Sequence, residues 1–100
     1  MANDDWEFLE PDSAGAIVLV RELEREMPGG HLLRETRLEA VARSYVSDDV
    51  IYRVMDVPGG RYAAVHLTWR PERDPRWPAA TLHPSLQEAL AVVEFETEFR

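Results

Sequence analysis

Two periods of hydrophobic and polar alternation run along this chain, and the change from one to the other marks its elements. Ala16, Leu19, Val20, Leu23 and Met27 recur at helical spacing with Arg21, Glu22, Arg25 and Glu26 on the opposite side, which predicts an amphipathic helix over 13–27. Pro11-Asp12-Ser13 supplies its start. Pro28-Gly29-Gly30 supplies its stop, because proline cannot extend the helical ladder and glycine accepts the left-handed cap. The run Ile17-Val18-Leu19-Val20 is β-branched enough to argue for a strand, but the charged stretch behind it keeps helical spacing.

Residues 31–46 fit both periods. Leu33, Ala40, Val41, Ser44 and Tyr45 allow a helix, while Leu38, Ala40 and Ala42 alternating with Arg37, Glu39 and Arg43 allow a strand. The strand over 36–46 is preferred, because the two strands that follow need a third partner. Those two are residues 50–55 and 61–69, which flank Val57-Pro58-Gly59-Gly60. A turn closed on Pro58-Gly59 sets Val54 opposite Ala63, Tyr52 opposite Val65 and Val50 opposite Leu67 as the core face. On the other face it sets Met55 with Tyr62, Arg53 with Ala64, Ile51 with His66 and Asp49 with Thr68.

Residues 70–84 hold four prolines, three arginines and Trp77, and read as a long loop. Pro84-Ser85 with Glu88 three residues on is a capping box that opens a second helix through Leu86, Ala89, Leu90 and Val93. From Val93 on, Phe95, Thr97 and Phe99 alternate with Glu94, Glu96 and Glu98, so the helix is expected to give way to a terminal strand. Residues 1–10 read as an acidic tail, mostly coil, in which the alternation of Trp6 and Phe8 also allows a short edge strand. The pattern as a whole predicts one α+β domain over 1–100. Its order is helix, three-stranded antiparallel meander, long proline-rich loop and C-terminal helix, with both helices on the sheet face that carries Val50, Tyr52, Val54, Val65 and Leu67.

Composition narrows the chemistry. The 100 residues are 45% hydrophobic and 30% charged, which is globular, and the absence of cysteine excludes disulfides, thiolate metal sites and thiol nucleophiles. No apolar run is long enough to span a bilayer and residues 1–5 lack the basic start of a signal peptide, so a cytoplasmic protein is expected, with no membrane partner. The formal charge of −8 concentrates in residues 1–12 and 88–100 and repels phosphate backbones, which argues against nucleic acid. All eleven cations are arginine, as a GC-rich coding sequence would give.

Asp49 and His66 form the pairing with most chemical content. The inferred register makes them diagonal neighbours, and a carboxylate beside an imidazole orients a general base or ligand. A half-buried sheet histidine capped by its neighbour is the commoner outcome of such a pair. No metal site is expected, since His31, His66 and His83 are too widely spaced, and no cofactor is, since no phosphate-binding glycine motif occurs. Ser13 and Ser85 sit where helix caps belong, and no strained elbow presents a serine nucleophile. The candidate binding face is Asp49, Ile51, Arg53, Met55, Tyr62, His66 and Thr68. Trp69, Arg70, Arg73, Arg76 and Trp77, of types enriched at interface hot spots, make a candidate interface loop.

Asp48-Asp49-Val50, then Val65-His66-Leu67-Thr68-Trp69, then Trp77-Pro78 and Thr81 before the last helix resembles a group of short bacterial proteins of uncharacterised function. The similarity spans roughly 31–93 and implies a shared small α+β fold, with no activity attached. The expected function is a non-enzymatic protein-binding or self-associating module, a homodimer, using a sheet face left uncovered by helices. The alternatives are an immunity- or antitoxin-like inhibitor of a basic protein, and a small-ligand binder or enzyme built on His66 and Asp49.

Overall fold

The computed structural model describes residues 5–56 and 61–98. Its elements are β1 (Trp6–Phe8), α1 (Ala14–Glu26), β2 (Leu38–Ser44), β3 (Asp49–Val54), β4 (Arg61–His66), β5 (Ala79–His83) and α2 (Leu86–Glu98). The strands form one antiparallel sheet in the order β1-β2-β3-β4-β5, so the expected three-stranded meander is the middle of a five-stranded one. Both added strands come from segments read as irregular. Trp6–Phe8 pairs with β2 and buries Trp6, so this part of the expected acidic tail is a strand of the sheet. In 70–84 the prolines concealed β5, because Pro78 and Pro84 stand just outside Ala79–His83 and remove no donor from within the strand.

Local signals account for both helices. Ser13 caps α1, its hydroxyl accepting from the Ala16 N–H at 3.2 Å, and Ser85 does the same for α2 through the Glu88 N–H at 3.2 Å. The terminal strand expected after Val93 does not form: α2 continues to Glu98, with Ala89, Leu90 and Val93 buried on one stripe at helical spacing.

The helices lie on opposite faces of the sheet, not on one. Leu19, Leu23 and Met27 pack with Ala40, Val50, Tyr52, Val54, Ala63 and Val65, whereas Ala89, Leu90 and Val93 pack with Trp6, Ala42, Ile51 and Ala64. Sheet residues of opposite parity thus serve two cores. Ile51 and Ala64, expected on an uncovered face, are buried beneath α2. Strand β2 serves both cores through a bulge. Its pairing with β3 shifts between Ala40 and Ala42, so Val41 is an extra residue, and Ala40 turns to α1 while Ala42 turns to α2. Strict alternation would have put these two alanines on one face.

The β3–β4 register differs from the expected one by two residues: Val54 lies opposite Arg61, Tyr52 opposite Ala63, Val50 opposite Val65 and Asp49 opposite His66. An even slip preserves the faces, so the expected core residues stay in the core. The Pro58-Gly59 turn lies outside the described residues.

Candidate functional site

Asp49 opens β3 and His66 closes β4, and the register sets them directly opposite each other. Asp49 is buried, 3% exposed, and its carboxylate is gripped from two sides. His66 Nδ1 lies 3.1 Å from Oδ1, and the Ser47 hydroxyl donates to Oδ2 at 2.6 Å. A carboxylate at Nδ1 selects the tautomer that carries its proton there, which leaves the Nε2 lone pair for another group. Ser47 fixes the carboxyl group in turn, so the chain Ser47–Asp49–His66 runs from a loop, through a buried carboxyl, to an imidazole whose side chain is 41% exposed.

The imidazole borders a concavity. Asp49, Ala64, His66, Trp77, Ala79, Ala80 and Thr81 from the sheet side, with Val92, Val93 and Glu96 of α2, line a groove of about 330 Å³. Small side chains open it: Ala64 and Ala79 leave a gap where α2 passes over the end of the sheet. The exposed Trp77 is one of the lining side chains. A second groove of about 380 Å³ on the same face, lined by Asp5, Trp6, Ser44, Val46, Val93, Glu94, Thr97 and Glu98, contains no imidazole. There the Trp6 indole N–H donates to Glu94 Oε1 at 3.1 Å.

The rest of the candidate face is not brought together. Arg53 pairs with Tyr62 across the strands, away from the groove; Tyr62 packs on the α2 core and Met55 is partly exposed. Thr68 belongs to the other side of the sheet. Its N–H and hydroxyl donate to Glu26 Oε1 at 2.8 and 3.0 Å, and the Trp69 N–H donates to Oε2 at 2.9 Å. Glu26 is fully buried; burial and a hydrogen bond shared with Glu22 push its carboxyl up to about 7 against the pull of these donors. Burial alone would raise Glu22 too, but hydrogen bonds from Glu26 and Arg25 hold it below the ordinary glutamate value. The Glu26 carboxyl ties the residues just after β4 to α1 and holds Trp69 at φ +60°, where a bulky residue needs such support.

The candidate interface loop divides in the same way. Trp69 is half exposed, with its indole N–H on Asp48 Oδ1 at 3.0 Å. Arg70 pairs with Glu72 and Arg76 with Asp74, so these guanidinium groups are engaged locally; Arg73 is exposed. Only Trp77 reaches the groove. His31 is structural: its Nδ1 accepts from the Leu33 N–H at 3.1 Å, so Nε2 carries the proton and donates to the Pro78 carbonyl at 2.7 Å. Among the described residues no group of three histidines and carboxylates is arranged to hold a metal ion, and no helix is long and apolar enough to cross a membrane.

Sequence reasoning missed Ser47, Glu96 and Glu26. Ser47-x-Asp49 was legible as a local serine–aspartate pairing, because residues two apart on an extended chain share a face. Nothing in the sequence marks Glu26 apart from its place on the polar side of a helix. The described residues therefore form an antiparallel five-stranded sheet between two helices, with a carboxylate-oriented imidazole at the mouth of a groove. No family model, no curated protein and no solved structure matches the chain.

Proposed function

We propose that this chain binds a small polar molecule in the groove between the β4–β5 end of the sheet and the C-terminal half of α2. His66 Nε2 is the acceptor for a hydroxyl or amine of the ligand. The observation that carries this reading is the hydrogen-bonded chain from Ser47 through buried Asp49 to His66 at the edge of a concavity. Asp49 sets the tautomer, and Trp77, Val92 and Val93 offer apolar surface to the ligand's body. A volume near 330 Å³ suits a compact molecule rather than a polymer. The expectation of a protein-binding module rested on an uncovered sheet face; α2 covers that face, and the argument from it falls.

Fragment screening by amide NMR tests the proposal. Fragments bearing a hydroxyl or amine are expected to shift the Ala79, Thr81 and Val93 resonances and to lose about tenfold or more in affinity with His66→Ala, the scale of one good polar contact. Identical fragment binding by wild type and His66→Ala would sink it.

A further inference from the structure

Strand β5 closes the sheet with one edge open. Among the described residues, Ala79–His83 hydrogen-bonds through its backbone to β4 alone. An open edge is a template for another strand, and proteins block it with charge, with proline inside the strand, or with a bulge. The opposite edge is blocked in this way: β1 is three residues long and carries Glu7 at its centre. By contrast β5 has five residues, pairs with β4 without a bulge, and contains neither charge nor proline. It also lies in the longest uncharged stretch of the chain, residues 77–87, in a molecule of formal charge −8. Two copies repel each other over most of their surface, and this strip is where that repulsion is weakest.

Symmetry and proline restrict how two such edges can meet. A two-fold axis normal to a continuous antiparallel sheet sets each residue opposite one on the same face, so the axis passes through a residue, not between two. Pro78 and Pro84 bracket the strand, and the longest overlap free of proline centres on Thr81. We propose that β5 pairs with β5 of a second copy about an axis at Thr81, so that each copy lends His83 to the other's groove.

In this register Ala79 lies opposite His83 of the second copy. Within one copy Asp49 faces His66 and His66 faces Ala79, so the row Asp49, His66, Ala79 continues into that second histidine. All four share the α2 side of the sheet. Neighbouring strands are about 4.8 Å apart, which sets the two histidine backbones about 10 Å apart with only a methyl group between them. His83 is steadied by its own Thr81, Nε2 to Oγ1 at 2.7 Å. A ligand with a polar group at each end is the class that two such imidazoles recognise. The shared groove rests on the function proposed above; the pairing of edges does not.

The chain has no cysteine, so Thr81→Cys places its only thiol on the axis, where facing Cα atoms are about 5 Å apart and within disulfide reach. Light scattering at ~100 µM is expected to find a wild-type dimer, since association follows mass action. Mild oxidation is expected to link Thr81→Cys into dimers and leave Val18→Cys, on the exposed side of α1, unlinked. Thr81→Glu, at an exposed position, is expected to give a folded monomer with an unchanged circular dichroism spectrum. A monomeric wild type, or a dimer in which Thr81→Cys does not link, overturns the pairing. If the dimer forms and fragment affinity falls with His66→Ala but not with His83→Ala, the shared groove is overturned and the one-copy site stands. If neither substitution changes affinity, the ligand site itself falls and the dimer remains.

Discussion

Two buried carboxylates, one on each side of the sheet, have opposite surroundings. Glu26, on the α1 side, is wholly enclosed and spends its oxygens on Thr68 and Trp69, so its hydrogen bonds begin and end in the scaffold. Asp49, on the α2 side, is also buried but is hydrogen-bonded to His66, whose imidazole borders a groove. The packing differs in the same sense. Among the described residues, three of the twelve buried core residues on the α1 side are alanine, whereas three of the seven on the α2 side are, at 42, 64 and 89. A face filled with large side chains supplies stability and keeps its polar groups for internal use. A face lined with small ones leaves space, and space beside an oriented imidazole is what a ligand requires.

The largest expected effect tests the packing half of this contrast. Leu23→Ala should cost about 4 kcal/mol by urea denaturation and Leu90→Ala about 2, because the α1 core cannot collapse around a cavity while α2 can settle toward the sheet. Equal losses would mean that the two faces are packed alike.

Next in size is the removal of each carboxylate. Glu26→Ala leaves the part-buried backbone N–H groups of Thr68 and Trp69 without an acceptor, the Thr68 hydroxyl keeping the Arg70 carbonyl, and is expected to lower stability by about 2 kcal/mol. Asp49→Asn retains an acceptor oxygen for Ser47 and should cost only about 1 kcal/mol, while releasing the His66 tautomer and weakening fragment binding in the groove. Denaturation midpoints and NMR titrations on the two variants separate the structural carboxylate from the functional one.

The pH profile sharpens the comparison further. Glu26 has a folded pKa of about 7, above the ordinary 4.5, so between these values the native state holds a proton that the unfolded chain has lost. Its contribution to stability therefore declines as pH rises from about 4.5 to about 7 and stays lost above that. Glu22, lowered by its partners, acts in the opposite direction and offsets part of this. Wild type is expected to melt at a higher temperature near pH 5.5 than near pH 8, and Glu26→Gln to reduce that difference. A profile unchanged by Glu26→Gln would assign the effect to other groups.

The smallest effect belongs to the connection between β4 and β5. Hydrogen bonds from the Arg76 side chain and backbone hold the Asp74 carboxyl down to about 2, yet this pair is at the surface. Asp74→Asn is expected to leave the thermal midpoint at neutral pH within error, as exposed pairs generally do.

Legibility followed the range of the interactions. Both helices were readable because caps and amphipathic spacing act over a few residues: Ser13 and Ser85 cap as their positions suggested. Val50, Tyr52, Val54, Val65 and Leu67 were readable as core because alternation by two survives an even slip of register. The Asp49–His66 pair survived it for the same reason, moving from diagonal to directly opposite. β1 was readable only as the lesser alternative to coil, and β5 was not readable. A three-residue strand carries too short a pattern, and proline counted over a whole segment obscured five residues that contain none.

By itself, then, the sequence determined which residues of β3 and β4 point to the α1 core and where each helix begins, because those choices depend on neighbours within a few positions. Which side of the sheet each helix covers was decided by the tertiary structure. Val41 bulges out of β2 and turns Ala40 and Ala42 to opposite cores, a displacement that acquires meaning only when β3 lies alongside. The groove is likewise a product of assembly: His66, Trp77 and Val93 come together only when β5 and α2 have packed against β4, since no two of them belong to the same element.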